Sequence, residues 1–246
     1  MISKEEEGEL SSKIINRFWS PNVNVMNKVK ENCNSNNFNN ILDVGPGKIP
    51  FELANYVIDV DETYVNLYGT KNFLKLNINY EKFPYENNFF DFCNSRHTLE
   101  DISTPFFAFN EITRVSKQGY IETPSPLIEI MKGVDCGNTL HRGYWHHRYI
   151  VWSNKETNTL YFLPKMPLIE YIIFDKEMMK KLHFTANTVP ILWNNYYIWN
   201  ENMPPNIIVY GYNSDYNFID NYSNLINDAI NKSIEYTNSF FGDCFI

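Results

Sequence analysis

A short apolar run that passes straight into a glycine turn, Asn40-Ile-Leu-Asp-Val-Gly-Pro-Gly47, constrains this chain more than any other stretch. Glycine lets a backbone turn tightly and lie close to a ligand with no Cβ in the way. A second apolar run, Tyr56-Val-Ile-Asp-Val-Asp61, ends in acids, and Asp59 stands 59 − 43 = 16 residues after Asp43. An acid at the end of that strand can accept hydrogen bonds from both hydroxyls of a ribose. Three more runs read as strands: Phe73–Asn77, Asn88–Ser95 with Phe89, Phe90 and Phe92 as its buried core, and Gly119–Pro124. Between the last two, Pro105–Val115 reads as a helix with Pro at its first position and Ser103 or Thr104 as N-cap. Short apolar strands separated by loops and helices predict a parallel sheet covered on both faces, with its ligand site outside the carboxyl ends of the strands.

The flanking segments are read from periodicity and turn residues. Leu10, Ile14, Ile15, Phe18 and Trp19 are spaced for a helix ending at Ser20-Pro21, and residues 31–40 read as a polar loop. Residues 147–164 predict a hairpin turning at Ser-Asn-Lys-Glu-Thr-Asn. Phe174–Leu182 and Phe218–Tyr236 carry helical patterns, and Val189–Trp199 and Asn206–Gly211 are apolar and aromatic enough for two further strands. With no internal repeat and no clear linker, the organisation expected is one domain over 1–246. It would have a helical segment at 1–37 and an insertion at 127–185 on the acceptor side.

Composition narrows the function. Lys plus Arg is 21 against 29 Asp plus Glu, a net charge of −8. That disfavours a general nucleic-acid binder, which needs a positive field. No apolar run is long enough to span a bilayer and the start of the sequence has no apolar leader, so a cytoplasmic protein is expected. The four cysteines, at 33, 93, 136 and 244, include no Cys-x-x-Cys pair. Asn occurs 35 times, about one residue in seven, a bias read as genomic because Asn, Ile, Tyr, Phe and Lys share AT-rich codons.

Five segments in order carry a resemblance: Ile41-Leu-Asp-Val-Gly-Pro-Gly, Val57-Ile-Asp-Val-Asp, Phe83-Pro-Tyr-Glu-Asn-Asn-Phe-Phe-Asp-Phe, His97-Thr-Leu-Glu-Asp and Glu111–Pro124. Together they resemble the successive motifs of the class I S-adenosylmethionine-dependent methyltransferases, most closely the small-molecule type, over about residues 38–126. The resemblance implies an α/β, Rossmann-like, mostly parallel seven-stranded sheet with helices on both faces and an inserted hairpin after the fifth strand. It implies S-adenosyl-L-methionine as cofactor. Asp43, Gly45 and Gly47 would line its methionine end, Asp59 would hold its ribose, with Asp61 the alternative, and Ser95 and Arg96 would border the sulfonium. Asn77 and Asn79 stand where relatives place an acid that contacts adenine. Lys48-Ile-Pro after the turn implies a shortened first crossover.

The acceptor side is read from side-chain chemistry. Leu140-His-Arg-Gly-Tyr-Trp-His-His-Arg-Tyr149 is the densest cluster of His, Arg and aromatic residues in the chain. A small-molecule acceptor would meet His141, Arg142, Tyr144, Trp145 and Arg148, with arginines for an anionic group and rings for flat faces. A base for a neutral hydroxyl would be His97, His146 or His147. Adjacent histidines on a strand point to opposite faces, a poor chelate, so no metal is assigned, although Glu100 and Asp101 could contribute carboxylates. The reading is O-methylation of a small polar acceptor such as a sugar or nucleotide-sugar. The alternatives are a non-catalytic methyltransferase-like binding module and an RNA methyltransferase.

Overall fold

A computed structural model describes residues 22–137, 139–172, 174–211 and 218–241, with side chains from 221 in the last segment. The helix expected at 10–20 lies outside the described residues. Nine strands are described: β1 (Ile41–Val44), β2 (Tyr56–Asp59), β3 (Asn72–Lys75), β4 (Phe92–Arg96), β5 (Gly119–Pro124), β6 (Tyr149–Asn154), β7 (Thr159–Pro164), β8 (Asn194–Trp199) and β9 (Asn206–Val209). Five helices accompany them: α1 (Val23–Ser35), α2 (Pro105–Val115), α3 (Pro126–Glu129), α4 (Lys176–Thr188) and α5 (Phe218–Phe241).

The central sheet has six strands in the order β3-β2-β1-β4-β5-β8. Strands β1 to β5 are parallel and β8 runs antiparallel to β5. The seventh strand expected for this sheet, β9, instead pairs in parallel with β7 and extends the predicted hairpin into a separate three-stranded sheet, β6-β7-β9. The chain order reverses direction across the sheet between β1 and β4, so the switch point lies at the carboxyl ends of those two strands.

Strand alternation sorts the core into two faces. Ile41, Phe92, Tyr120 and Tyr196 point to the face covered by α1 and the end of α5. Their neighbours Leu42, Cys93, Ile121 and Tyr197 point to the face covered by Ala108, Phe109 and Ile112 of α2 and by Val151, Leu160 and Phe162 of the second sheet. A third cluster packs Ile150, Trp152 and Leu163 of the hairpin on Tyr222, Ile226 and Ala229 of α5.

Several expectations are corrected. Residues 31–35 are the end of α1 and not loop, because Val25, Met26, Val29 and Cys33 form one buried face at helical spacing. Phe89 is 37% exposed and lies before β4. The links β1–β2 and β2–β3 hold no helix beyond a 3-10 turn at Val65–Leu67. Neither Ser103 nor Thr104 caps α2 with its side chain. Asn79 Oδ1 accepts from Ser103 N at 2.8 Å and Thr104 N at 3.3 Å, bracing the loop that enters the helix. No helix among the described residues is long and apolar enough to cross a membrane.

Asn158, at the hairpin turn, ties the two sheets together. Its φ is +43°, a region Asn tolerates better than most residues. Its Nδ2 donates to the carbonyls of Ile198, Met203 and Pro204 at 3.1–3.3 Å, and its carbonyl accepts from Tyr197 Oη at 2.8 Å. Asn158→Ala would leave these carbonyls without their donor and put a residue that tolerates the left-handed region less well at this turn. A loss of about 2–3 kcal/mol is expected, read by urea denaturation.

Candidate functional site

Two clefts open at the carboxyl edge of the central sheet, and His97 lines both. The first, of about 250 Å³, is bounded by Asp43, the turn Gly45–Ile49 and Arg96. Gly45 and Gly47 have φ of +67° and +52°. A Cβ on Gly45 would come within 2.4 Å of the Thr98 side chain, whereas Gly47 has no atom within 4 Å of such a Cβ. One glycine therefore permits packing against the β4 end, and the other leaves its outer side open.

The turn is closed by acids. Asp43 is 1% exposed, and its carboxylate accepts from Phe51 N and Asn94 Nδ2, both at 2.6 Å. Burial pushes its pKa up, against those hydrogen bonds and the charge of Arg96. Asp59 accepts from Gly47 N at 3.2 Å, Asp61 N at 3.0 Å and Tyr68 Oη at 3.4 Å. Strand β2 ends at Asp59, so Asp61 is not the strand-end acid; it is exposed and accepts from Thr63 N. Arg96 donates to Ile49 O at 2.8 Å, while its buried Nε has no hydrogen-bond partner.

The remaining cofactor-side candidates lie elsewhere. Ser95 is 1% exposed and donates to Val44 O across the sheet, because it sits within β4 and not past its end. Asn77 Oδ1 accepts from Asn79 N and Nδ2, and Asn79 Oδ1 is used by the loop before α2. Neither amide lines the cleft. Asn79→Ala is expected to cost about 1 kcal/mol of stability through the lost hydrogen bonds to Ser103 and Thr104 while leaving cofactor affinity unchanged. Thermal unfolding with and without ligand checks both parts.

The second cleft, of about 320 Å³, is walled by Glu100, Asp101, Asp135, Tyr144, His146 and His147. It forms because the chain after α3 doubles back on Glu129. Gly143 makes this possible, since a Cβ there would lie 2.8 Å from the Glu129 backbone. Glu129, 1% exposed, accepts from His147 Nδ1 at 2.7 Å and Lys165 Nζ at 2.6 Å. Burial would raise the Glu129 pKa, but Lys165 and His147 outweigh it and hold it at about 2. Burial opposes charge on His147, yet Glu129 prevails and raises its pKa. For His146, burial and the charge of His147 act together to lower the pKa. Asp101 is pushed up to about 7 by burial and by Glu100.

His97 is not built as a free base. Its Nε2 is 3.2 Å from Glu122 Oε1 and its Nδ1 is 3.6 Å from Glu100 Oε1. Burial pulls its pKa down, but the two carboxylates lift it to about 9, so the ring is charged near neutrality. Its φ of +50° marks a strained position at the meeting point of the clefts. The other expected acceptor contacts divide. Tyr144 packs against His147 with ring centroids 4.6 Å apart and the planes tilted by 39°. Arg142 turns inward, 3% exposed, donating to Ile130 O and lying over Phe174, so it offers no anion site in the cleft. Trp145 is 72% exposed and stands edge-on to His146. Arg148 is exposed and holds Asp101 O at 2.9 Å, and His141 faces Asp135 at 3.7 Å.

Sequence reasoning missed Lys165, Thr98, Asn94 and Tyr68. Of these only Asn94 carried a signal, a polar residue inside the buried run Phe92-Cys-Asn-Ser. The others are supplied by distant segments.

Against known families, residues 42–121 match the family model described as a methyltransferase domain. Solved structures with partial likeness include an S-adenosylmethionine-dependent methyltransferase from Mesorhizobium loti (16% identity, 37% of this chain and 48% of that one, TM-score 0.31). One from Aquifex aeolicus shows 25% identity over 44% of this chain and 75% of that one, TM-score 0.28. One from Clostridium acetobutylicum shows 12% identity over 48% and 54%, TM-score 0.35. The chain spans about half the length of the Mesorhizobium protein. A search of curated proteins finds no match.

The residues of the first cleft would fit S-adenosylmethionine, the cofactor that a methyltransferase domain implies. The open side of Gly47 admits a close ligand, Asp59 stands beside it, and the unpartnered Arg96 Nε is a buried donor that a carboxylate would match. No helix follows the turn, so no helix N-terminus would meet that carboxylate, whereas Arg96 and Lys48 line the cleft as cations.

Proposed function

We propose that this chain is an S-adenosylmethionine-dependent methyltransferase that acts on the oxygen of a small polar acceptor, such as a sugar or nucleotide-sugar. The observation that carries this reading is that His97 lines both clefts, so a group held at the first faces a group held at the second. When bound, the cofactor supplies a methyl group on a positively charged sulfur. Asp59 would hold the ribose hydroxyls, Arg96 the carboxylate and Asp43 the ammonium group. Glu122 is fully buried, accepts from Tyr120 Oη and from Asn194 Nδ2, and fixes the His97 ring between the clefts. The acceptor would enter over Tyr144, with its reacting oxygen toward His146, His147 and Asp101. Positioning of two groups in line is the main contribution such a site can make to a displacement. The second cleft is of a size for a small ligand, and its acidic wall is unsuited to a polyphosphate chain.

A second reading has its own support. The amides of Gly45, Gly47, Ile49 and Phe51 are already satisfied within the fold, and no helix follows the turn. Such a self-contained turn suits a methyltransferase-like module that binds a partner without catalysis. Isothermal titration with S-adenosylmethionine and S-adenosylhomocysteine separates the two. Micromolar binding is expected, weakened 10- to 100-fold by Asp59→Asn or Arg96→Ala through loss of a charged hydrogen bond and spared by His146→Ala. Folded protein that binds neither compound would leave the non-catalytic reading standing.

A further inference from the structure

We propose that His146, His147, Asp101 and Glu100 form a binding site for one divalent transition-metal ion in the second cleft.

The sequence predicts that two adjacent histidines diverge, as on a strand. They do not, because β6 begins only at Tyr149 and residues 146–147 lie in the turn before it. Both rings therefore face the same carboxylate. Asp101 Oδ1 lies 3.9 Å from His146 Nε2 and 3.8 Å from His147 Nε2. One ligand atom from each of the three residues lies within 4.8 Å of the others. Ligands about 2.1 Å from a shared ion stand roughly 3–3.5 Å apart, so an inward swing of about 1 Å completes the geometry. His146, 46% exposed, is free to make it.

Three independent features point to a cation. His147 Nδ1 is held by buried Glu129, which leaves Nε2 as the lone-pair nitrogen directed at Asp101. A carboxylate behind an imidazole is the arrangement that orients metal-binding histidines. Glu100 is 1% exposed, lines the same cleft, and makes no hydrogen bond through either carboxylate oxygen. Its nearest charged contact is His97 Nδ1 at 3.6 Å. A buried carboxylate with unused oxygens is costly unless something positive meets it. Asp101 Oδ1 likewise makes no hydrogen bond.

The donor set decides the class of ion. Two imidazoles with one or two carboxylates suit Zn²⁺, Mn²⁺ or Fe²⁺, whereas Mg²⁺ and Ca²⁺ prefer oxygen alone. The loop holding the acids is braced by Arg148, whose side chain holds Asp101 O and whose N–H donates to Glu100 O at 2.8 Å. The ion would lie where the acceptor oxygen is placed in the reading above. That consequence rests on methyl transfer; the metal site does not.

The test uses chelator-treated full chain titrated calorimetrically with Zn²⁺, Mn²⁺ and Mg²⁺, without cofactor. One equivalent of Zn²⁺ or Mn²⁺ is expected to bind, with Mg²⁺ at least 100-fold weaker. Asp101→Asn and His146→Ala should each weaken binding about 100-fold, and Glu129→Gln 10- to 100-fold. Circular dichroism confirms that each variant is folded, and exposed His146 gives a variant that leaves the core intact. Replacement with Co²⁺ should give visible bands of nitrogen and oxygen ligation, lost in His146→Ala. Absence of saturable Zn²⁺ and Mn²⁺ binding to the folded chain would overturn the site, as would binding indifferent to these substitutions. Metal binding without S-adenosylmethionine binding would remove the methyl-transfer reading and leave the ion in place.

Discussion

The carboxylate of Glu122 is the constraint around which this site is built. It is wholly inside the protein, in the middle of β5. A charge there costs several kcal/mol unless its surroundings supply donors. Three segments do so: Tyr120 of the same strand, Asn194 of the antiparallel neighbour β8, and His97 just past β4. The need for donors thus fixes the register of β8 at its start and the position of the turn after β4. His97 then contacts Glu100, and the backbone carbonyl of Glu100 accepts from Arg148 and Tyr149 at the start of the second sheet. One buried acid accordingly links the central sheet to the three-stranded one through a relay of short contacts.

The elements with strong local signals were legible in the sequence. β5 and α2 have the bounds that their prolines and apolar spacing predict, and the hairpin at 147–164 differs by two residues at one end. The positions of the glycine turn and of Asp59 at the end of β2 were legible as well, since glycine marks a tight turn and an acid ends an apolar run. What could not be read was where side chains turn when a tertiary partner competes. Arg142 looked like an anion site from its neighbours, yet Ile130 O and the Phe174 ring, from other segments, draw it into the core. His146 and His147 were assigned to opposite faces on an assumed strand that starts two residues later. The partner of β9 was equally invisible, because its pairing with β7 depends on the contacts of Asn158 and Tyr197 across a long separation.

The asparagines show how a compositional bias acquires structure. Codon preference explains why there are many, but not where they are used. Asn22 caps α1, Asn79 braces the loop that enters α2, and Asn37, Asn88 and Asn158 hold positive φ where other proteins use glycine. A short amide side chain that can bond its own backbone is suited to each position. The consequence for function is specific. Asn79, with Asn77 one of the two amides at the place of the usual adenine acid, is engaged by Ser103 and Thr104, so in the reading proposed above nucleoside recognition would fall on the glycine turn and Asp59.

That shift concentrates charge. In the first cleft the charge of Arg96 acts on Asp43, and Asp43 and Asp59 are themselves satisfied by backbone amides, Asn94 and Tyr68. In the second cleft the balance is different. Lys165 answers Glu129, and His97 is shared between Glu100 and Glu122, so Asp101 and much of Glu100 have no fixed positive partner at hydrogen-bond distance. The first cleft is electrically closed by the protein's own groups, whereas the second is closed only by something that enters it. The ion proposed above would meet the carboxylates that the protein itself leaves without a close cation. An anionic acceptor such as a nucleotide-sugar, disfavoured by the bare acids, becomes compatible with this wall once an ion stands between them.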